Sequence, residues 1–113
     1  MVTADDVRRL ALTLPRTTEG LVRDSVRFRV GRLVYAAFSP DEQFMGFAFP
    51  KEERAALVGA EPDKFFMPSK SDERYNWVAV RLEALGDNEM RELVVDAWRM
   101  CVPNKVAAEH LRG

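Results

Sequence analysis

Residues 26–38 read Val26-Arg27-Phe28-Arg29-Val30-Gly31-Arg32-Leu33-Val34-Tyr35-Ala36-Ala37-Phe38. From Val26 to Val30, apolar and basic side chains alternate, the two-residue period of a strand with one face in a core. Gly31-Arg32 breaks the pattern as a two-residue hairpin turn, with glycine supplying positive φ. Leu33 to Phe38 then forms a second strand, apolar throughout. Ser39-Pro40-Asp41-Glu42 is turn chemistry. Phe44 to Phe49 gives a third strand, in which Gly46 marks a bulge or a close approach. Three such strands joined by short turns make an antiparallel meander.

Working toward the N-terminus, residues 16–24 are polar and read as a loop. Before them, Thr3 and Asp6 match a capping box. Val7, Leu10, Ala11 and Leu14 form one apolar helical stripe, and Pro15 closes that helix. Toward the C-terminus, Pro50 suits the first position of a helix over Lys51–Val58, capped by Gly59. Lys64 to Met67 is a short strand, and Pro68 to Arg74 a polar loop. Val78, Val80 and Leu82 alternate with Trp77, Ala79 and Arg81 as a further half-buried strand. Asp87 is the N-cap of the last helix, whose buried stripe is Met90, Leu93, Val94, Ala97 and Cys101. Pro103 interrupts it, and residues 105–111 resume as a final turn or two. The expected fold is α+β: a two-layer α-β(3)-α-β(2)-α domain over residues 1–113, with helices on one face of an antiparallel sheet.

A chain of 113 residues, 47% hydrophobic and 31% charged, suits one globular domain and is too apolar for disorder. No apolar run reaches the roughly 18–20 residues of a membrane span, so no membrane partner is expected. Acids at Asp5 and Asp6 stand where a secretory signal would be basic, which points to the cytoplasm. Cys101 is the lone cysteine, so no internal disulfide forms. Nothing in the sequence sets an oligomeric state.

Chemistry is sparse. His110 is the single histidine, so no standard zinc site can be assembled in one chain. On a helix, Cys101 and His110 would lie about half a turn apart in azimuth and roughly 13 Å apart along the axis, a poor dyad. No activity is expected to need either residue. The acidic pairs Asp5/Asp6, Glu52/Glu53 and Asp72/Glu73 fall in first helical turns or a polar loop, where solvated carboxylates belong. No glycine loop cradles phosphate. The chain is therefore expected to be no enzyme and to hold no cofactor or metal.

The aromatic residues are more informative. Phe65-Phe66-Met67-Pro68 packs a core under a loop, or walls a small-ligand or enzyme pocket. Trp77 alternates with buried residues and should face the other side of the sheet, as should Arg27, Arg29 and Arg81. Arginines and a tryptophan on an open face suit phosphate contact and base stacking. They equally suit Arg–Trp stacking with no ligand. Charge is uneven: residues 1–32 hold 7 basic and 4 acidic side chains (+3), residues 33–63 hold 2 and 6 (−4), and residues 64–113 hold 8 and 8. The net charge of −1 is not that of a strong phosphate binder.

Several segments, taken in order, resemble the MmcQ/YjbR family over nearly the whole chain. They are Leu12-Thr13-Leu14-Pro15, Thr17-Thr18-Glu19, Phe28-Arg29-Val30-Gly31-Arg32-Leu33 and Lys64-Phe65-Phe66, then Tyr75 through Leu82, and Ala97-Trp98 with Pro103-Asn104-Lys105. The resemblance implies a small two-layer α+β domain, similar in fold to type III secretion chaperones, which bind proteins. It also implies the family's common label of DNA binding, and it supplies no catalytic residues. The resulting expectation is a non-enzymatic binding module for DNA, weak and salt-sensitive. Its contact residues are Arg27, Arg29, Arg32, Lys70 and Arg74 for phosphate, and Trp77 for a base. A protein-interaction or chaperone-like module is the second expectation, and a small-ligand or enzyme site near Phe65-Phe66 the third.

Overall fold

The computed structural model describes residues 2–112. Six strands form one antiparallel sheet in the order β1-β2-β3-β4-β6-β5: β1 (Thr17–Val22), β2 (Ser25–Val30), β3 (Leu33–Phe38), β4 (Phe44–Ala48), β5 (Phe65–Phe66) and β6 (Trp77–Arg81). The helices are α1 (Ala4–Ala11), α2 (Lys51–Ala60), α3 (Asp87–Arg99) and α4 (Asn104–Leu111). The two-layer α+β architecture is as the periodicity predicts. Phe28, Ala36, Phe38, Met45, Phe47, Val78 and Val80 are buried in one cluster with Val7, Leu14, Met90, Val94 and Trp98. Leu10 and Leu93 pack against that cluster.

The largest departure is β1, which replaces the loop expected over residues 16–24. Its register pairs Thr17 with Val30 and Val22 with Ser25. Arg23 and Asp24 make the turn, at φ 50° and 65°. Positive φ at both central residues is the type I′ pattern that matches strand twist. Of the three β1 residues on the core-side face, Thr17 and Glu19 are polar and partnered, and Leu21 is exposed. Thr17 Oγ1 lies 2.8 Å from Tyr35 Oη, and Glu19 accepts from Arg8 Nε at 2.8 Å. The meander thus has four strands rather than three.

Smaller differences concern element ends. Thr3 and Asp6 form the expected capping box. Pro50 is the N-cap of α2 rather than its first residue, and Gly59 lies inside that helix, which ends at Ala60 with Glu61 as its C-cap. Gly86, not Asp87, precedes α3. Pro103 separates α3 from α4 as expected. Gly31 turns at φ 59°. The bulge foreseen as one option at Gly46 lies instead in β3, where the register jumps from Phe28↔Ala36 to Arg29↔Val34. The extra residue is Tyr35, so Tyr35 and Ala36 are both fully buried.

Burial pushes the Tyr35 phenol up to about 12, against a smaller opposing effect of the Thr17 hydrogen bond. A raised folded value stabilises the fold fully below the usual 10 and loses that contribution as pH climbs toward 12. The urea midpoint of the native chain should therefore fall between pH 10 and 12, and fall less in Tyr35→Phe. Equal falls in the two proteins would contradict this assignment.

Candidate ligand-binding face

The strand register sets the open side of the sheet residue by residue. Arg27 pairs with Ala37, Ala37 with Gly46, Gly46 with Ala79, and Ala79 with Phe66. Partners across a sheet point to the same face. One row of side chains therefore runs across five strands, with Arg27 and Phe66 at its ends and Ala37, Gly46 and Ala79 between them. The small residues leave a trough of about 780 Å³. No residue of α1 to α4 lines it, whereas the segment from Met67 to Trp77 borders it.

Trp77 sits one step along β6 from this row and is half-buried. A Cβ placed on Gly46 would lie 2.7 Å from Trp77 Cε2 and 2.8 Å from Cζ2. Of the two options for Gly46, the close approach is the right one: the glycine makes room for an indole. Phe44 meets Phe66 edge to face, with ring centres 5.4 Å apart, and the Arg81 guanidinium lies 5.4 Å from the Phe44 ring centre. The outer row is thus partly aromatic, with cations beside it.

Arg27 is half-buried in the trough wall. Its Nε is buried and meets no acceptor, and no carboxylate pairs with it among the described residues. The Nε of Arg54, on α2, is likewise buried without an acceptor, so what distinguishes Arg27 is that it lines the trough with no ion-pair partner among the described residues. Arg32 also lines the trough. Asp72 is the acid in its lining, and it accepts from Ser69 Oγ at 3.1 Å.

The family model described as YjbR matches residues 12–100. The chain belongs to the YjbR family. A solved structure of a Deinococcus radiodurans protein with the domain DUF419 is similar in fold, with a TM-score of 0.76 at 24% identity. The similarity covers 88% of this chain and 78% of that one. No curated protein matches.

Within this YjbR domain, the residues singled out from sequence divide into two groups. Arg27, Arg32 and Trp77 line the trough. Arg29 shares the open face but is exposed nearer β1, its guanidinium carbon 3.9 Å from a Cβ built on Gly20. Lys70 and Arg74 are exposed on the bordering segment and do not line the trough; Arg74 lies 4.9 Å from the Tyr75 ring centre. Phe65 and Phe66 do not act together. Phe65 is buried, and its ring centre lies 6.5 Å from that of Phe47 on the core side, while Phe66 borders the trough.

Arg54 escaped the sequence reading. It is buried on α2, donating from Nη1 to the carbonyls of Tyr75 (3.1 Å) and Trp77 (3.0 Å) and from Nη2 to that of Glu73 (2.8 Å). It fastens the segment that leads into Trp77. Elsewhere, burial pushes the Cys101 thiol up, the wrong direction for a nucleophile. His110 is half-buried, its ring centre 5.1 Å from that of Trp98. Among the described residues, no group of three or more His, Cys, Asp or Glu side chains could hold a metal ion, and no helix is long and apolar enough to cross a membrane.

Proposed function

We propose that the chain is a non-enzymatic binding module that works through the open face of its sheet, with DNA as a weakly held ligand. The observation that supports this most is Arg27: a half-buried cation with no carboxylate partner among the described residues, on the same face as Trp77. Arg29 and Arg32 add exposed charge nearby. Arginines fix phosphates and an aromatic ring stacks a base, without need of a sequence code. A cytoplasmic setting goes with this reading, since the lone cysteine leaves no internal disulfide to form.

With about three or four phosphate contacts, affinity should drop by roughly ten- to a hundredfold between 50 and 200 mM salt. The test is a fluorescence titration of labelled duplex and single strands at several salt concentrations, repeated with Arg27 and Arg29 both changed to Ala. The double variant should bind at least tenfold more weakly. No binding at low salt, or binding indifferent to the double variant, would sink the reading.

A protein-interaction role is the second reading, favoured by β1. This strand pairs only with β2, so its outer edge is open, and Leu21 is 67% exposed on it. A partner strand could add there. Such binding would survive the loss of Arg27 and Arg29.

A further inference from the structure

The trough is short, walled and uneven in charge. Its floor of Ala37, Gly46 and Ala79 spans three strands, about 10 Å at the usual strand spacing of roughly 4.8 Å. Trp77 and Phe66 stand on one side of it, and Arg27 on the other. Its volume of about 780 Å³ lies within the range of small-molecule sites. A double helix has no bare ring to offer a recess of this kind. One planar ring with an anionic group attached would suit it. The ring would meet Trp77 and the small floor, and the anion would meet Arg27, with Arg32 near by.

We infer that this trough is a site for a single nucleotide-sized ligand, a planar aromatic ring carrying a phosphate or similar anion. The inference rests on the open face being the binding face, and does not require the ligand to be a polymer. The phosphate-bearing ring could belong to a free nucleoside monophosphate or to one unpaired residue of a strand. The shared chemistry is a ring about one floor-width from a charge. Arg27 selects the anion because it lines the trough and, among the described residues, no carboxylate pairs with it. The flat floor selects the ring because any larger side chain at Ala37, Gly46 or Ala79 would fill the space.

The experiment is calorimetric titration of the full chain with adenosine 5′-monophosphate, adenosine, inorganic phosphate and a short single strand. Two variants are titrated in parallel, Arg27→Gln and Ala37→Phe. Both positions lie on the open face, so the core is untouched, and thermal unfolding checks that each variant is folded. The monophosphate should bind at least tenfold more tightly than adenosine or phosphate alone. Arg27→Gln should erase the advantage over adenosine, and Ala37→Phe should block the monophosphate outright. Binding no tighter than that of phosphate alone would overturn the role of the ring. Binding unchanged in both variants would overturn the site. A strand that binds where the monophosphate does not would overturn this inference and leave the nucleic-acid reading intact. A monophosphate that binds where no strand does would support the inference and remove DNA as the ligand.

Discussion

Arg54→Ala lowers the unfolding free energy by about 3 kcal/mol, because three charge-assisted hydrogen bonds end together. Each is worth roughly 1.5–3 kcal/mol in isolation, and the bordering segment regains part of the loss by turning its carbonyls to water. The acceptors belong to Glu73, Tyr75 and Trp77, alternate residues that a planar two-armed guanidinium can serve at once. A lysine at this position offers one compact ammonium on a flexible stem, so Arg54→Lys should rescue less than half of the loss. Lys51 gives the comparison: its Nζ reaches the Arg74 carbonyl at 3.3 Å from an exposed position. Lys51→Ala should therefore change stability by about 0.5 kcal/mol or less. Urea unfolding followed by tryptophan fluorescence reads all three. A loss below about 1 kcal/mol in Arg54→Ala would show that the segment holds its path without the clamp.

Gly46→Ala should destabilise by about 2 kcal/mol, although alanine is intrinsically the better strand residue by roughly 0.5–1 kcal/mol. The added methyl meets the Trp77 ring well inside contact distance. Gly46 is flanked by buried Met45 and Phe47 in a fully paired central strand, so the backbone is poorly placed to retreat. The indole must lift off the sheet instead. Trp98 is fully buried, donating from Nε1 to the Pro15 carbonyl at 2.8 Å, and its emission serves as an internal reference. Equilibrium unfolding should report the loss, with a red shift in the native-state emission of Trp77. Wild-type stability and unshifted emission would mean that the indole does not depend on the bare glycine.

Much of the fold is legible because burial on one face leaves a period in the sequence. Val26 to Val30 and Trp77 to Arg81 alternate plainly, and Gly46 marks a bulge or a close approach without deciding between them. β1 is illegible for a physical reason. Its inward residues Thr17 and Glu19 are polar, and they bond to Tyr35 and Arg8 rather than enter an apolar core. Its turn is Arg23-Asp24, without the glycine or asparagine that usually marks positive φ. Arg54 is hidden for another reason: its partners are main-chain carbonyls, which leave no trace in side-chain pattern. The site is half legible. Alternation alone puts Arg27 and Trp77 on one face, but only the strand order brings Ala37, Gly46, Ala79 and Phe66 into their row. Lys70 and Arg74 are basic and near Trp77 in sequence, yet the segment that carries them leaves both outside the trough.

The central claim is that ligand meets the open face of the sheet. Backbone amide mapping by NMR, during titration with a short single strand at low salt, tests it most directly. The account predicts shifts concentrated at Arg27, Ala37, Gly46, Phe66, Trp77 and Ala79, with α1, α3 and α4 silent. Shifts confined to those helices or to the outer edge of β1, with the Arg27–Phe66 row unmoved, would contradict it.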